Sequence, residues 1–198
     1  FSDSMDAKVS EFGKIGDILV LPLFQGADKA PNNALNGLSR TQRSLVNDAL
    51  SSDSFSGKSG KHLHVWTADC QVVLVGMGEC PSEKECRDGG AKTLAAISKD
   101  QGTNITVRFT TGWTTSMMSL FAEGMILRDY DFDKYLQKDE DDVQGDWGLD
   151  CQASSRHQDA LSSAVSKSIA ISKGVHIARD LGNEPANVMY PEEYAKRA

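Results

Sequence analysis

The sequence predicts an α/β fold: a mixed, mostly parallel sheet between helices, followed by one long helix. Three observations carry this reading. Asp17 to Phe24 reads D-I-L-V-L-P-L-F, a continuous apolar run suited to a strand covered on both faces. Next, Gln71 to Val75, a helical stretch from Ser82 to Lys99 and a strand from Asn104 to Phe109 follow one another. That succession is the βαβ unit, built with parallel strands and a right-handed crossover. Finally, Asp159 is a capping residue type, and the pattern beyond it stays helical to Leu181.

The remaining elements fit around this frame. Gln25 to Gly60 is rich in Gly, Asn, Ser and Asp, with one short surface helix from Ser39 to Leu50 carrying Leu45, Val46 and Leu50. His62 to Thr67 alternates, with Leu63 and Val65 on one face and His62, His64 and Trp66 on the other. With Gln71 to Val75 beyond an Ala-Asp turn, this predicts a hairpin. In the helix from Ser82, residues Cys86, Gly90, Leu94 and Ile97 share a face. A second helix, Thr114 to Tyr130, aligns Met117, Phe121 and Leu127, or Met118, Phe121 and Met125, and should cover the sheet. Lys138 to Gly148 is an acidic, solvated loop at the domain's edge. In the long helix Ala170, Gly174, Ile177 and Leu181 fall at helical spacing, and Gly182, Pro185 and Pro191 end it.

A chain of 198 residues can bury one core of ordinary size. Hydrophobic residues at 39% and charged residues at 25% are the balance of a globular protein. Twenty-eight acids against 21 bases leave a net charge of -7, which repels phosphate backbones and anionic lipids and argues against nucleic-acid or membrane partners. No apolar run approaches the ~20 residues that cross a bilayer. Phe1-Ser2-Asp3-Ser4-Met5 lacks a signal pattern, so a cytoplasmic location is expected. Phe1 is not an initiator and suggests a tag remnant or a processed start. Cys70, Cys80, Cys86 and Cys151 contain no C-x-x-C pair and read as reduced thiols.

Candidate sites are few. Gly76-x-Gly78 after a strand resembles the start of a dinucleotide fingerprint, but the third glycine is missing, position 81 is Pro, and Glu79, Glu83, Glu85 and Asp88 would oppose a phosphate. Asp129, Asp131, Asp133 and Glu140 match positions 1, 3, 5 and 12 of a calcium loop, with Leu136 at position 8. The glycine required at position 6 is Lys134. His62 and His64 could point together toward a metal with Asp69 or Cys70, although histidines on an exposed face are the simpler reading. His157 and His176 lack a partner at catalytic spacing, and Ser154, Ser155 and Cys151 lie in loop text without a nucleophile elbow. No catalytic, cofactor-binding or metal-binding residue is therefore assigned.

One segment is more specific. Gly174 to Asn187, followed by Tyr190 and Pro191, closely resembles the leucyl aminopeptidase signature A-R-D-L-x-N-x-P-x-N-x-x-x-P, filled here by Ala178 to Asn187 and Pro191. Val73-Leu-Val-Gly-Met-Gly-Glu79 is similar to that family's strand and glycine turn. Glu123-Gly-x-x-Leu127-x-x-Tyr130-x-Phe132-x-x-Tyr135 is similar to its E-G-x-x-L-x-x-Y-x-F element. The resemblance implies an amino-terminal, macro-domain-like unit over residues 1–157, an interdomain linker helix over 158–182, and the truncated start of a catalytic metallopeptidase domain over 183–198. It implies a parent hydrolase that removes amino-terminal residues such as leucine with two divalent metals, zinc or manganese, assembled as a homo-hexamer. The family's metal-binding strings, N-T-D-A-E-G-R and K-G-x-x-x-D, occur nowhere in these 198 residues. The fragment is thus expected to be inactive, with a role in assembly and active-site access. The alternative is a free-standing macro-like module for ADP-ribose or a nucleotide. The family also carries an apolar strand after its Tyr-x-Phe element, whereas Val143 to Gln152 is polar with Gly145 and Gly148, which argues against a strand there.

Overall fold

The computed structural model describes residues 5–27, 29–52, 55–97, 102–132, 135 and 147–197. Six strands form one sheet in the order β1-β6-β5-β2-β4-β3. They are β1 (Asp6–Ser10), β2 (Ile18–Leu23), β3 (His62–Trp66), β4 (Gln71–Gly76), β5 (Asn104–Arg108) and β6 (Gly148–Gln152). All neighbours pair in parallel except β3 and β4, which form the expected antiparallel hairpin. The helices are α1 (Arg40–Ser51), α2 (Glu83–Ala96), α3 (Thr115–Arg128), α4 (Gln158–Asn183) and α5 (Pro191–Arg197). No helix among the described residues is long and apolar enough to cross a membrane.

The strands β2 and β4 are buried along their whole length because helices cover both faces. On one face Ile18, Val20, Val73, Val75, Ile105 and Val107 pack with Phe121, Met125, Leu161 and Val165 under α2, α3 and α4. On the other, Leu19, Leu21, Val72 and Leu74 meet Leu35, Val46 and Leu50 of the α1 layer. In α3 the stripe through Met118, Phe121 and Met125 is the buried one. Capping boxes start α1 and α2: the Ser39 and Ser82 hydroxyls accept the backbone N–H groups of Gln42 and Glu85, whose side chains accept in return.

Two readings change, and one strand appears where no element was expected. First, β6 is a strand, and it lies inside the sheet between β1 and β5. It looks polar because only Leu149 and Cys151 face the apolar core, while Asp150 and Gln152 enter an internal hydrogen-bond network. Second, β1 is an edge strand that carries no apolar run of its own, and pairing with β6 defines it. Third, the stripe Ala170, Gly174, Ile177 on α4 faces outward, with Ile177 44% exposed. The docked stripe is Leu161, Val165, Ser168, Ser172 and His176. Most of the acidic loop, residues 138–146, lies outside the described residues.

Arg108 organises a polar region on the sheet face that also carries the α1 layer. It is fully buried at the end of β5. Its guanidinium donates to Gln152 Oε1 at 2.9 Å, to the carbonyls of Ala34 at 2.9 Å and Asn36 at 2.5 Å, and to the Gly13 carbonyl at 2.7 Å. Gln152 in turn donates to the Lys14 carbonyl and to Asp150, whose carboxylate also accepts from Ser10. Burial lowers the proton affinity of Arg108, and the nearby Asp150 charge counters it.

Candidate functional site

The Gly76–Gly78 turn has no free donors for a pyrophosphate. Gly76 N–H donates to the Lys61 carbonyl, Met77 N–H to Leu23 and Gly78 N–H to Gly57, at 2.8 to 2.9 Å. A Cβ at Gly76 would overlap the Lys58 carbonyl, and Gly78 has φ +77°, so both glycines serve the close approach of residues 57–61. The hollow beside the turn holds about 160 Å³ and is lined in part by Glu85 and Asp88. That is below the ~300 Å³ at which small-molecule pockets begin. At the carboxyl ends of β2 and β5, where open α/β sheets usually receive ligands, Trp113 fills the space. It is 2% exposed, packs against Phe24, Phe109 and Phe121 with centroids 5.0 to 5.8 Å apart, and donates its N–H to the Pro22 carbonyl.

The other candidates are drawn to separate partners. His62 Nε2 lies 3.2 Å from Thr93 Oγ1, and His64 Nδ1 lies 2.6 Å from Gln71 Nε2. Both rings are half-buried rather than exposed, and burial lowers their proton affinity. Asp69 accepts from Gln42 at 3.0 Å, and the Cys70 carbonyl accepts from Thr67. Asp129 accepts the Met5 N–H at 2.9 Å. Asp131 is exposed, and Asp133, Lys134, Leu136 and Glu140 lie outside the described residues. His157 contacts Thr115 Oγ1 at 3.1 Å and Arg156 Nε at 3.0 Å. All four cysteines are free; burial pushes Cys86 up to about 11 and Cys151 up to about 12, which keeps both as unreactive thiols. Among the described residues no three His, Cys, Asp or Glu side chains are grouped to hold a metal.

What the structure does bring together is the end of α4 and the end of α3. Arg179 donates to the Leu127 carbonyl at 2.8 Å, and its guanidinium lies 5.3 Å from the Tyr130 ring centroid. The Tyr130 hydroxyl donates to Asp180 at 2.9 Å and accepts from Asn183 at 3.1 Å. Tyr135 donates to Glu184. About three turns earlier on α4, Ser168 donates to Glu123 at 3.1 Å, and Glu123 also pairs with Arg87 of α2 at 2.8 Å. Beside this junction a cavity of about 280 Å³ is lined by Arg87, Asp88, Leu127, Arg128, Tyr130 and Arg179. Arg128 and Arg179 sit at the negative end of the α3 dipole and Arg87 is paired with Glu123, which accounts for these cations without a bound anion.

The Glu123-to-Tyr135 element and the Arg179-to-Asn183 element are therefore the two halves of one contact. The N-terminal-domain pattern of the cytosol aminopeptidase family matches residues 20–139. This chain belongs to that family. A probable cytosol aminopeptidase of Methylorubrum populi is 33% identical over 202 residues, covering 96% of this chain and 38% of that protein. Another, from Rhodopseudomonas palustris, is 31% identical over 161 residues, covering 77% of this chain and 32% of the relative. The chain thus spans about a third of the length of these curated relatives. A mutant of tomato leucine aminopeptidase has the same fold over all of this chain and 43% of its own, with a TM-score of 0.78 at 23% identity. The bottromycin maturation enzyme BotP, solved in complex with Mn, matches 92% of this chain and 35% of its own, with a TM-score of 0.62 at 19% identity. Within the cytosol aminopeptidase family the chain is an N-terminal domain, a six-stranded mixed sheet with a long helix. Sequence reading found both motifs; that they touch was carried by no local pattern.

Proposed function

We propose that this chain is the non-catalytic amino-terminal part of a cytoplasmic dimetal aminopeptidase that releases residues such as leucine from peptides. Residues 1–157 would be the accessory domain, 158–182 the linker helix and 183–198 the start of the catalytic domain. The observation that supports the reading most is the α3–α4 junction, where residues of the two family-like motifs meet. The outer side of the same unit leaves Ile171, Ile177, Tyr190 and Tyr194 43 to 51% exposed, an apolar surface suited to the rest of the parent enzyme.

The parent would act with two divalent metals, zinc or manganese, as Lewis acids that activate water. The described residues of this chain do not fit such a pair, since no cluster of ligands forms among them. Their contribution is positional: assembly of a homo-hexamer and control of access to its active sites. The chain alone, assayed on a leucine peptide substrate with added manganese, is expected to give no turnover. Turnover above background would overturn the non-catalytic assignment.

The alternative, a macro-like module for ADP-ribose or a nucleotide, meets a turn whose N–H groups are occupied and a strand end filled by Trp113. Calorimetry with ADP-ribose should register no binding heat. Micromolar binding that Gly78→Glu abolishes would instead restore that alternative.

A further inference from the structure

The α3–α4 interface contains two buried polar side chains that make no well-formed hydrogen bond among the described residues. Ser172 is 0% exposed and His176 4%, and they stand one turn apart on the docked stripe of α4. Among the described residues, neither the Ser172 hydroxyl nor either ring nitrogen of His176 has a hydrogen-bond partner of acceptable geometry. Buried polar groups are normally paired, so an adjacent orphaned pair at a helix interface calls for a reason. The His176 ring lies 5.2 Å from Tyr130, tilted 44°, directly inside the junction that Arg179, Asp180 and Asn183 close.

We propose that His176 makes the last turns of α4 a proton-released latch: docked on α3 while the ring is neutral, undocked when the ring takes a proton. A neutral imidazole loses little in this apolar seat, whereas an imidazolium there must give up its hydration with only the Ile126 carbonyl at hand, too poorly aligned for a well-formed bond. The charges around it do not make up the loss. On α4, Arg179 repels the cation, and Asp180 is already engaged by Tyr130. On α3, Glu123 is held by Arg87 of α2 and by Ser168, and Arg128 adds a further positive charge. Past α3, Asp129 accepts the Met5 N–H; β1, packed on the first half of α4, contributes Asp6 and Lys8. Burial first, and then Arg179, lowers the ring's proton affinity, against smaller pulls from Asp180 and the Ile126 backbone.

The sign follows. A histidine held below its unfolded pKa of about 6.5 leaves docking undisturbed above that pH and weakens it as pH falls below. The latch deepens the junction reading given above, but its test reads this chain alone, so either can fail without the other. Amide hydrogen exchange of the 198-residue chain, expressed as protection factors for residues 174–183, should show a fall of about tenfold between pH 7.5 and pH 5.5. Strands β2 and β4 should lose none of theirs. His176→Leu should abolish the fall. Unchanged protection in the natural chain, or an equal fall in His176→Leu, would overturn the latch. Should His176→Leu not fold, an NMR titration of the natural ring decides: a midpoint well under 6.5 supports the latch, and one at or above 6.5 overturns it.

Discussion

Gly124→Ala is expected to destabilise the chain by ~3 kcal/mol or more, despite the ~1 kcal/mol that alanine gains over glycine inside a helix. Gly90 of α2 and Gly124 of α3 face each other's backbones. A Cβ at Gly90 would overlap the Phe121 carbonyl oxygen, and one at Gly124 would overlap that of Arg87. The obstacle is main chain on both sides, so no rotamer change relieves it; the helices must move apart along their whole contact, loosening Cys86, Phe121 and Met125 beneath. Gly90→Ala should behave alike, and the double variant should cost less than the sum, because one separation relieves both clashes. Urea unfolding measures this. A midpoint equal to or above that of the natural chain would mean that the helices are not in backbone contact.

Arg108→Met should cost on the order of 4 kcal/mol, through polar groups left buried rather than through lost volume. Its guanidinium satisfies three carbonyls and Gln152 Oε1 beneath the layer that holds Ala34 and Asn36. Methionine fills similar space and donates nothing, so the Ala34, Asn36 and Gly13 carbonyls lose this donor, Gln152 Oε1 keeps only the Gly13 N–H, and the Asp150 charge loses its counterpart. Arg108→Lys should recover only part, because one ammonium cannot reach four acceptors held in a planar fork. Thermal unfolding monitored by circular dichroism checks the ranking natural, Lys, Met. Equal midpoints for Lys and Met would show that charge and fork geometry are irrelevant there.

The elements readable in the sequence are those whose burial matches their composition. β2 and the Val72–Val75 run of β4 are apolar because both of their faces are covered, and α2 shows its inner stripe plainly, whereas α3 offers two stripes of which the structure buries one. β6 was hidden because half of it faces Arg108, Lys14 and Ser10 instead of an apolar layer. Beyond Val165 the orientation of α4 is inverted relative to its hydrophobicity: Ser168, Ser172 and His176 are inside, and Ile171 and Ile177 are outside. A period of 3.6 residues cannot reveal that, since the inward choice depends on Glu123 and Tyr130, some 45 residues away in sequence for the Ser168 bond. The candidate junction was legible as two separate motifs. Their contact depends on chain geometry between them, which neither motif encodes.

The reciprocal hold between Tyr130 and the Asp180–Asn183 turn also determines where the protein can be cut and rejoined. A border drawn at the start of α4 would leave the Glu123 and Tyr130 partners on one parent and the Ser168, Arg179 and Asp180 partners on the other. Exchange of this domain between relatives therefore has to move α3 and α4 as one block, with the splice placed after Glu184, where the helix has ended and its last hydrogen bonds back to the domain are complete.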